Sequence, residues 1–440
     1  MSTTVMPVPA AQLVRRYYVY GGLYTLAASL IWGVNALFLL DAGLTISEVF
    51  IANAAWSLGV LIFEIPTGIV ADTVGRRASF LLSVVVLAIT TLLYVGLAQV
   101  GAGVVAFSIV SVFIGLGFTF YSGAMEAWLV DGVRFLGYDG ELDKIFSRGQ
   151  IVSGTAMLVG TVGGGFLGQI DLSIPFLVRS GLLVVLLVLA FFGMHDLGFV
   201  PHRVTLRQLP AEASKIGRAG IRFGWQQRSL RLVMLATAVQ MGVFAWAWYA
   251  WQPYFLELLG QDLVWVAGVV AALLAISMML GNAILEIVTR WSRRRTTILL
   301  WAGVGFSLAL VGVGLVDSFL PALALLFLAG VAIGVQSPVR QAFIHTIVPS
   351  EQRATVVSFD SMISGGGAVA GQAGLGALSD RRGLSAGYIV GGLITLLAVP
   401  ILGLVRRLRD DADYFEAWSP DFSPSAPRIP GHPQRGRRST

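Results

Sequence analysis

The sequence predicts an all-α membrane protein with twelve transmembrane helices in two pseudo-symmetric six-helix bundles. Three observations predict this class: a very apolar composition, twelve apolar stretches of membrane length, and a charge difference between the two sets of connections. Of the 440 residues, 56% are hydrophobic and 12% are charged, whereas about 25% of the residues in a soluble protein are charged. With a mean hydropathy of +0.79, the chain has too little polar surface for a water-soluble particle.

A bilayer core of about 30 Å requires about 20 apolar residues per helix. We number the twelve stretches of this length spans 1 to 12, and they cover residues 17–40, 46–71, 78–99, 104–130, 149–170, 174–199, 231–256, 263–289, 296–316, 320–345, 354–379 and 386–405. The longest connection separates spans 6 and 7. The predicted units are an N-terminal segment (1–16), a first bundle (17–200), a central loop (201–230), a second bundle (231–405) and a disordered tail rich in Pro, Ser and Arg (406–440).

An even number of spans places both chain termini on one side of the membrane. If that side is the cytoplasm, nearly all of the 30 basic residues lie in cytoplasmic connections, with only Arg179, Arg381 and Arg382 outside and Arg340 within a span. The positive-inside rule therefore predicts cytoplasmic N- and C-termini in a multi-pass protein of the cytoplasmic (inner) membrane. Within the central loop, the segment Leu209–Phe223 is predicted either as a surface-lying helix or as a flexible linker.

Several functional classes are excluded. The chain has no cysteine, its four histidines have no metal-ligand spacing, and it contains no nucleophile–base pair or phosphate-binding loop. No basic stretch alternates with aromatic residues as in a binder of single-stranded nucleic acid. We therefore expect no enzymatic activity, no catalytic residue, no metal, no cofactor and no nucleic-acid partner. The expected partners are a small molecule and the lipid bilayer, and the protein is expected to be a monomer.

The two bundles resemble each other in sequence. Ser122–Leu129 in span 4 aligns with Ser337–Ile344 in span 10, and the glycine run 163–165 in span 5 corresponds to 365–367 in span 11. Duplicated halves imply a pseudo-two-fold axis along the membrane normal, with a central cavity between the halves. The glycine runs indicate close helix packing that permits rocking.

A charged motif fills the short connection between spans 2 and 3. It has the form Gly, three residues, Asp, two residues, Gly, Arg, Arg, at Gly68, Asp72, Gly75, Arg76 and Arg77. With this motif and its six-plus-six arrangement, the chain resembles the major facilitator superfamily of secondary transporters over residues 15–408. The segment 349–355 also resembles the family's usual start of span 11. The resemblance implies rocker-type alternating access.

The resemblance also implies a role for the motif as a latch between spans 2 and 11 in the outward-open state. In this interpretation Asp72 faces the positive N-terminal end of span 11 near Arg353, while Arg76 and Arg77 contact lipid phosphates. Glu64, two turns before Asp72, belongs to the same network. The predicted latch residues are thus Gly68, Asp72, Gly75, Arg76, Arg77, Glu64 and Arg353. The alternative is that the motif only forms a tight turn.

Ionisable residues inside spans are costly and are therefore functional candidates. The predicted proton-coupling or gate residues are Glu126, Arg340, Asp131 and Asp360. Glu126 and Arg340 occupy adjacent positions of the repeat, so they are predicted to pair across the cavity, with Glu126 carrying a coupling proton. In the alternative, each pairs within its own half. Independently of this choice, Asp360 is predicted to meet Arg76 or Arg340, and Asp131 is predicted to be a solvated charge at the inner end of span 4.

A central substrate cavity is predicted between spans 1, 4, 7 and 10. Its predicted lining residues are Trp32, Asn35, Gln240, Trp246, Tyr249 and Gln252. An aromatic lining with few charges suits an amphiphilic or aromatic ligand, including a cationic one. Proton-linked drug antiporters of the family carry an Arg in span 4 and a Gly-Pro pair in span 5, but this chain has Ser111 or its neighbours at the first place and no proline at the second.

The sequence thus predicts a secondary transporter, of the antiporter type, that exports a small hydrophobic or amphiphilic compound. Coupling to protons stays open, because the chain departs from the pattern of the proton-linked antiporters at both places. Two alternatives remain. The first is an uptake symporter or uniporter for a polar metabolite, and the second is a transporter-like membrane sensor that moves no substrate.

The latch hypothesis predicts an asymmetry between the halves, because the second-half counterpart of the motif, Arg290–Arg295, retains only positive charge. Asp72→Asn is expected to change the balance between outward-open and inward-open states more than Arg290→Gln. Distances between spin labels on the two halves measure this balance. Equal effects of the two substitutions would count against the latch.

Overall fold

The computed structural model describes residues 6–201, 218, 224–348 and 353–415. Every predicted span corresponds to helix, which confirms the all-helical fold. Spans 1 to 6 comprise Val8–Ser29 with Asn35–Asp41, Ile46–Thr73, Arg76–Gln99, Val104–Tyr121 with Ala124–Phe135, Asp143–Ile170, and Ile174–Gly193. Spans 7 to 12 comprise Arg228–Leu259, Val264–Trp291, Arg295–Leu315, Phe319–Ile347, Arg353–Arg382, and Leu384–Thr395 with Ala398–Leu408. Most of the predicted central loop, including most of Leu209–Phe223, lies outside the described residues.

Ten of the described helical segments are long and apolar enough to cross a membrane. These ten correspond to spans 2 to 10 and span 12, so spans 1 and 11 are the two predicted spans that do not meet this criterion. Span 1 begins at Val8, within the predicted N-terminal segment, and is interrupted before Asn35. Span 11 has a low apolar content because it contains many glycines and the charged residues Asp360 and Asp380. Span 4 is also broken, at Gly123, whose φ of 73° is a left-handed conformation that glycine adopts without a steric penalty.

Helix pairing repeats between the two halves. Spans 1 and 5, 2 and 4, and 3 and 6 pack together in the first half, and spans 7 and 11, 8 and 10, and 9 and 12 do so in the second. The halves meet through spans 2 and 11 and through spans 5 and 8. Each second-half pair is a first-half pair moved by six spans, so the duplication seen in the sequence is also present in the arrangement of the helices.

Glycines allow the repeated close approaches. A Cβ atom on Gly115 of span 4 would lie 2.6 Å from the carbonyl oxygen of Trp56 in span 2. In the equivalent pair, a Cβ on Gly334 of span 10 would collide with the carbonyl of Met278 in span 8. Small residues at these positions let helix backbones touch, which stabilises association in a membrane through dispersion forces.

An aspartate that follows the last span of each half caps the third span of that half. Asp196 accepts a hydrogen bond from the Arg77 backbone N–H (2.9 Å) at the start of span 3. Asp413 accepts bonds from the Thr296 N–H (2.7 Å) and hydroxyl (2.8 Å) at the start of span 9. A carboxylate at a helix N-terminus satisfies free N–H groups and complements the helix dipole. The pKa of both aspartates is raised above its ordinary value, because the effect of burial outweighs that of the hydrogen bonds, which lower the pKa.

The beginning of the predicted disordered tail is ordered, which corrects the boundary at residue 406. Span 12 continues to Leu408, and the 3-10 helix Asp411–Asp413 follows it. The Arg295 guanidinium donates to the carbonyl oxygens of Ala412 (2.5 Å) and Tyr414 (3.0 Å). The basic stretch before span 9 therefore holds the first part of the tail. Residues 416–440 lie outside the described part of the chain.

The fold has two ends, which we call the Arg-rich end and the opposite end. The Arg-rich end carries Arg76 and Arg294, and the opposite end carries Ser47 and Asp380. At the opposite end the halves are joined by hydrogen bonds: Ser47 Oγ donates to Asp380 Oδ2 (3.1 Å), and Gln169 Nε2 donates to the carbonyl oxygen of Asp262 (3.1 Å).

Gln252 of span 7 makes a further connection near the opposite end. Its side chain accepts a hydrogen bond from the Ala36 N–H (2.7 Å) and donates to the Trp32 carbonyl oxygen (2.8 Å). Both backbone groups flank the break in span 1, where the helical hydrogen-bond pattern is interrupted. The second half thus completes the hydrogen bonding of the first, as a buried backbone requires. Nearby, Gly165 of span 5 packs directly on Gly268 of span 8.

Asp413→Ala is expected to lower the melting temperature of the purified protein, because loss of a helix cap costs about 1 kcal/mol. Asp411→Ala is the matched control, since Asp411 lies in the same 3-10 helix and is exposed. Thermal unfolding in detergent measures both. An equal shift in the two variants would contradict the capping role.

Gly165→Ala is expected to loosen the contact between the halves, because a Cβ there would lie 2.8 Å from the Gly268 Cα. Gly163→Ala is the control, since nothing lies within 4 Å of a Cβ at that position. The chain has no cysteine of its own, so Ser57→Cys provides a single reporter. Thiol labelling from the opposite end is expected to be several-fold faster with Gly165→Ala than with Gly163→Ala. Equal rates would show that this contact does not close that end.

Candidate functional site

A cavity of about 550 Å³ lies between the two halves. Spans 1, 2, 3, 4 and 6 of the first half and spans 7, 8 and 11 of the second half contribute to it. Its aromatic lining residues are Tyr24, Trp32, Trp56, Tyr94, Phe118, Phe176, Phe244, Trp248 and Tyr249. This volume lies within the range of about 300–1,000 Å³ that is typical of small-molecule sites.

Six polar side chains that line the cavity form three hydrogen-bonded pairs. Asn35 Nδ2 donates to Asn53 Oδ1 (3.0 Å), and the hydroxyls of Tyr94 and Ser111 share a short hydrogen bond. Gln372 of span 11 donates to Ser57 of span 2 over 3.4 Å, and this contact crosses between the halves. These pairs let polar side chains lie in the membrane interior at a small energetic cost.

Aromatic rings form the apolar walls. The Trp32 and Trp248 ring centroids are 6.4 Å apart in an edge contact between the halves, and the rings of Trp56 and Phe118 are 5.8 Å apart. Edge-on and offset arrangements of this kind are the preferred geometries of aromatic pairs. The walls therefore offer flat apolar surfaces to an organic ligand.

Three predicted substrate residues line this cavity: Trp32, Asn35 and Tyr249. Gln240 lines a second cavity of about 190 Å³ instead, together with Gln336 and Arg340. The two cavities share Met241, Phe244 and Met278. Because they share these residues, the second cavity extends from the central one toward Arg340. Span 10 was predicted to line the central cavity, but of these two cavities it lines only the second.

The placement of Trp246 and Gln252 corrects the prediction that they contact substrate. The Trp246 ring is fully buried between Phe50 and Tyr388, with centroids 5.8 and 5.0 Å away. Gln252 is also fully buried, and its amide is occupied by the backbone of span 1. Both residues lie on the face of span 7 that packs against neighbouring spans. The prediction used only their depth along the helix, which does not indicate the face on which a residue lies.

Arg340 forms an ion pair with Asp360, at 2.6 Å, rather than with Glu126. Both residues belong to the second half, in spans 10 and 11, so Arg340 pairs within its own half. The Asp360 side chain is 6% exposed. A paired arrangement is the one expected for charges at this depth.

Glu126 is exposed and lies in the first turn after the break in span 4. A negative charge at this position is favoured by the helix dipole. Glu64 lies beside the same break, where it accepts a hydrogen bond from the Ser122 hydroxyl (3.2 Å). The side-chain hydrogen bond described for Glu64 is therefore with span 4.

The motif between spans 2 and 3 makes its described contacts within the first half. Asp72 pairs with Arg76 (2.5 Å), and Arg76 Nε lies 3.9 Å from Asp131 Oδ2 of span 4. Asp131 thus meets the motif and is not an isolated solvated charge. Gly75, with a φ of 130°, is the N-cap residue just before span 3, whereas a Cβ on Gly68 would meet nothing within 4 Å.

Arg77 is held by span 6. Its guanidinium donates to the Phe191 carbonyl oxygen (2.7 Å) and stacks on the Phe191 ring, 5.3 Å from the centroid. Span 11 begins at Arg353, but the side chain of Arg353 lies outside the described residues.

Sequence reasoning missed Arg179, which it assigned to an outer connection. Arg179 lies in span 6, is 5% exposed and lines the central cavity. Its position more than one turn inside an apolar run that begins at Ile174 was the available signal. Asn53, Ser57 and Gln372 were also missed, although the spacing of four residues between Asn53 and Ser57 places both on one helix face.

Comparisons with known proteins agree with this architecture. A family model of the Major Facilitator Superfamily matches residues 18–302 and 284–427. The chain is 20% identical over 406 residues to YxaM, an uncharacterized MFS-type transporter of Bacillus subtilis (strain 168), covering 90% of this chain and 96% of that protein.

Solved structures share the fold. The nucleoside transporter NupG aligns with a TM-score of 0.73 at 13% identity, covering 90% of this chain and 99% of that one. The POT family transporter PepTSo aligns with a TM-score of 0.69 at 12% identity, covering 92% and 99% of the two chains. The chain therefore belongs to the Major Facilitator Superfamily, and it is a secondary transporter of a small molecule.

Proposed function

We propose that this transporter exports a hydrophobic or amphiphilic aromatic compound, with the central cavity as its substrate site. The observation that carries the proposal is the cavity of about 550 Å³ between the halves, in which nine of the 24 lining residues are aromatic. Such walls bind flat apolar groups by dispersion and exclusion of water. The few polar groups at Asn35, Asn53 and Gln372 would orient the bound molecule.

Alternating access requires one end of the cavity to close while the other opens. At the opposite end the halves are joined through Gln252, Gln169 and Ser47. At the Arg-rich end the ion pairs Asp72–Arg76 and Arg340–Asp360 each lie within one half. This contrast supports an inward-facing state in which the latch is released, with the Arg-rich end in the cytoplasm according to the positive-inside rule. In the outward-open state, Asp72 would exchange Arg76 for the N-terminal end of span 11.

Glu126 is the proposed carrier of a coupling proton. It is exposed beside the break in span 4, so it can exchange protons with the cytoplasmic side in this state. In the outward-open state, the same carboxylate would approach the Arg340–Asp360 pair, and it would then compete with Asp360 for Arg340. Competition of this kind would couple protonation to the movement of the halves.

Uptake of a polar metabolite is the second candidate. The paired amides Asn35 and Asn53 and the Gln372–Ser57 contact line the same cavity and could recognise hydroxyl or amide groups. NupG, whose fold is shared, is a nucleoside transporter. At 13% identity this likeness concerns the fold, so a nucleoside serves here as the polar probe.

Transport in membrane vesicles tests the proposal. Fluorescent aromatic amphiphiles of negative, neutral and positive charge, together with a nucleoside, are supplied to inside-out and right-side-out vesicles with and without an uncoupler. We expect accumulation of an aromatic probe in inside-out vesicles, and the uncoupler should abolish it. Nucleoside uptake into right-side-out vesicles would favour the second candidate, and no flux of any probe would favour a sensor that moves no substrate.

The coupling role of Glu126 is tested in the same vesicles. Glu126→Gln is expected to lose the pH dependence of transport, while Glu141→Gln, in an exposed loop, should retain it. Glu126→Gln with an unchanged rate and pH dependence would exclude Glu126 as the proton carrier.

A further inference from the structure

We propose that the substrate of the central cavity is an aromatic monoanion, most simply a carboxylate, and that Arg179 binds its negative group. This inference deepens the proposed function and rests on the central cavity as the substrate site. It narrows the proposed substrates from amphiphilic compounds in general, which include cations, to anions.

Arg179 is a buried cation without a counter-ion in the described part of the protein. The residue is 5% exposed and lines the cavity. Its buried Nε makes no hydrogen bond, and none of the ion pairs among the described residues involves it. Arg340, by contrast, has Asp360 as its partner.

The residues around Arg179 cannot neutralise it. Tyr24 of span 1 and Tyr249 of span 7 are close enough to interact electrostatically with the guanidinium, but a phenol at neutral pH is uncharged. No Asp or Glu occurs among the described lining residues. An unpaired charge within a membrane protein is costly and marks a substrate or ion pathway, so the missing partner is a group that enters the cavity.

The chemistry of the site specifies that group. A guanidinium presents a planar fork of N–H donors that matches the two oxygens of a carboxylate. Arg179 supplies one positive charge, so a monoanion leaves the occupied cavity neutral, whereas a phosphate dianion would leave a net negative charge in a medium of low dielectric constant. A cation would be repelled by Arg179, which offsets any attraction to the aromatic faces.

The walls specify the rest of the molecule. Phe176, one turn before Arg179 in span 6, and Tyr249 of the other half line the same space. Trp32 and Trp248 meet edge to face across the halves on another side of the cavity. A ligand with a carboxylate on a flat ring system would therefore contact both halves at once, so its binding would favour closure around it.

Binding of four related probes to the purified full-length protein tests the inference. The probes are 2-naphthoate, its neutral isostere 2-naphthamide, the cation 2-naphthylmethylammonium and 2-naphthyl phosphate, and affinities are measured by titration calorimetry. We expect 2-naphthoate to bind at least about tenfold more tightly than 2-naphthamide, since a hydrogen bond to a charged group contributes more than a neutral one. The preference should disappear in Arg179→Gln.

Two variants control for folding and for charge in general. Arg179→Gln should still bind 2-naphthamide, because the Gln amide can donate a hydrogen bond to the ligand's carbonyl oxygen, and this binding shows that its cavity is intact. Arg179→Lys keeps the charge but loses the planar fork, so its preference for 2-naphthoate should be intermediate. Arg148→Gln, which removes an exposed arginine at the start of span 5, should bind all four probes as the wild type does.

Other outcomes would overturn the inference. Equal or tighter binding of the amide or the cation would exclude selection for an anion and leave the proposed function standing. Tighter binding of 2-naphthyl phosphate would overturn the choice of a monoanion. A loss of preference in Arg148→Gln equal to that in Arg179→Gln would remove the special role of Arg179. If no probe binds and none is transported in vesicles, the proposed function fails as well.

Discussion

The apolar interior of the bilayer requires each polar group inside the fold to find its partner within the protein. This requirement explains why the halves touch where they do. The break in span 1 interrupts its backbone hydrogen bonds, and Gln252 of the other half bonds to the groups on both sides of the break. Moving the halves apart at this end would leave buried hydrogen-bonding groups unpaired, so the contact is stable only while the end is closed.

The same requirement distinguishes the charges from one another. At the Arg-rich end Asp72, Arg76 and Asp131 form one network in the first half, and Arg340 and Asp360 form a pair in the second. Arg179 differs, because it faces the cavity and has no ion-pair partner among the described residues. Charges that pair within a half can move with it as a rigid unit, whereas an unpaired charge in the cavity is available to a ligand.

The aspartate caps extend the symmetry beyond what the repeat alignment revealed. The stretch before span 9 had appeared to retain only basic residues, yet Asp413 caps span 9 as Asp196 caps span 3. The cap in the second half comes from the tail and the one in the first half from the segment after span 6, so a local comparison of motifs could not relate them. Helix N-termini need such partners wherever they are buried, and in both halves the segment after the sixth span supplies one.

The sequence by itself determined the number of spans, the division into two halves and the family motif. Each of these can be read from hydropathy, charge or residue spacing along the chain, without knowledge of contacts between distant segments. Tertiary structure decided which face of each helix meets the cavity. Trp246 and Tyr249 are three residues apart, and only Tyr249 lines it. Arg179 and Arg340 were both visible as charges, but the partner of Arg340 comes from another span, and Arg179 has no ion-pair partner among the described residues. Pairing of this kind depends on helix rotation and on contacts between distant segments, which the local pattern of a sequence does not contain.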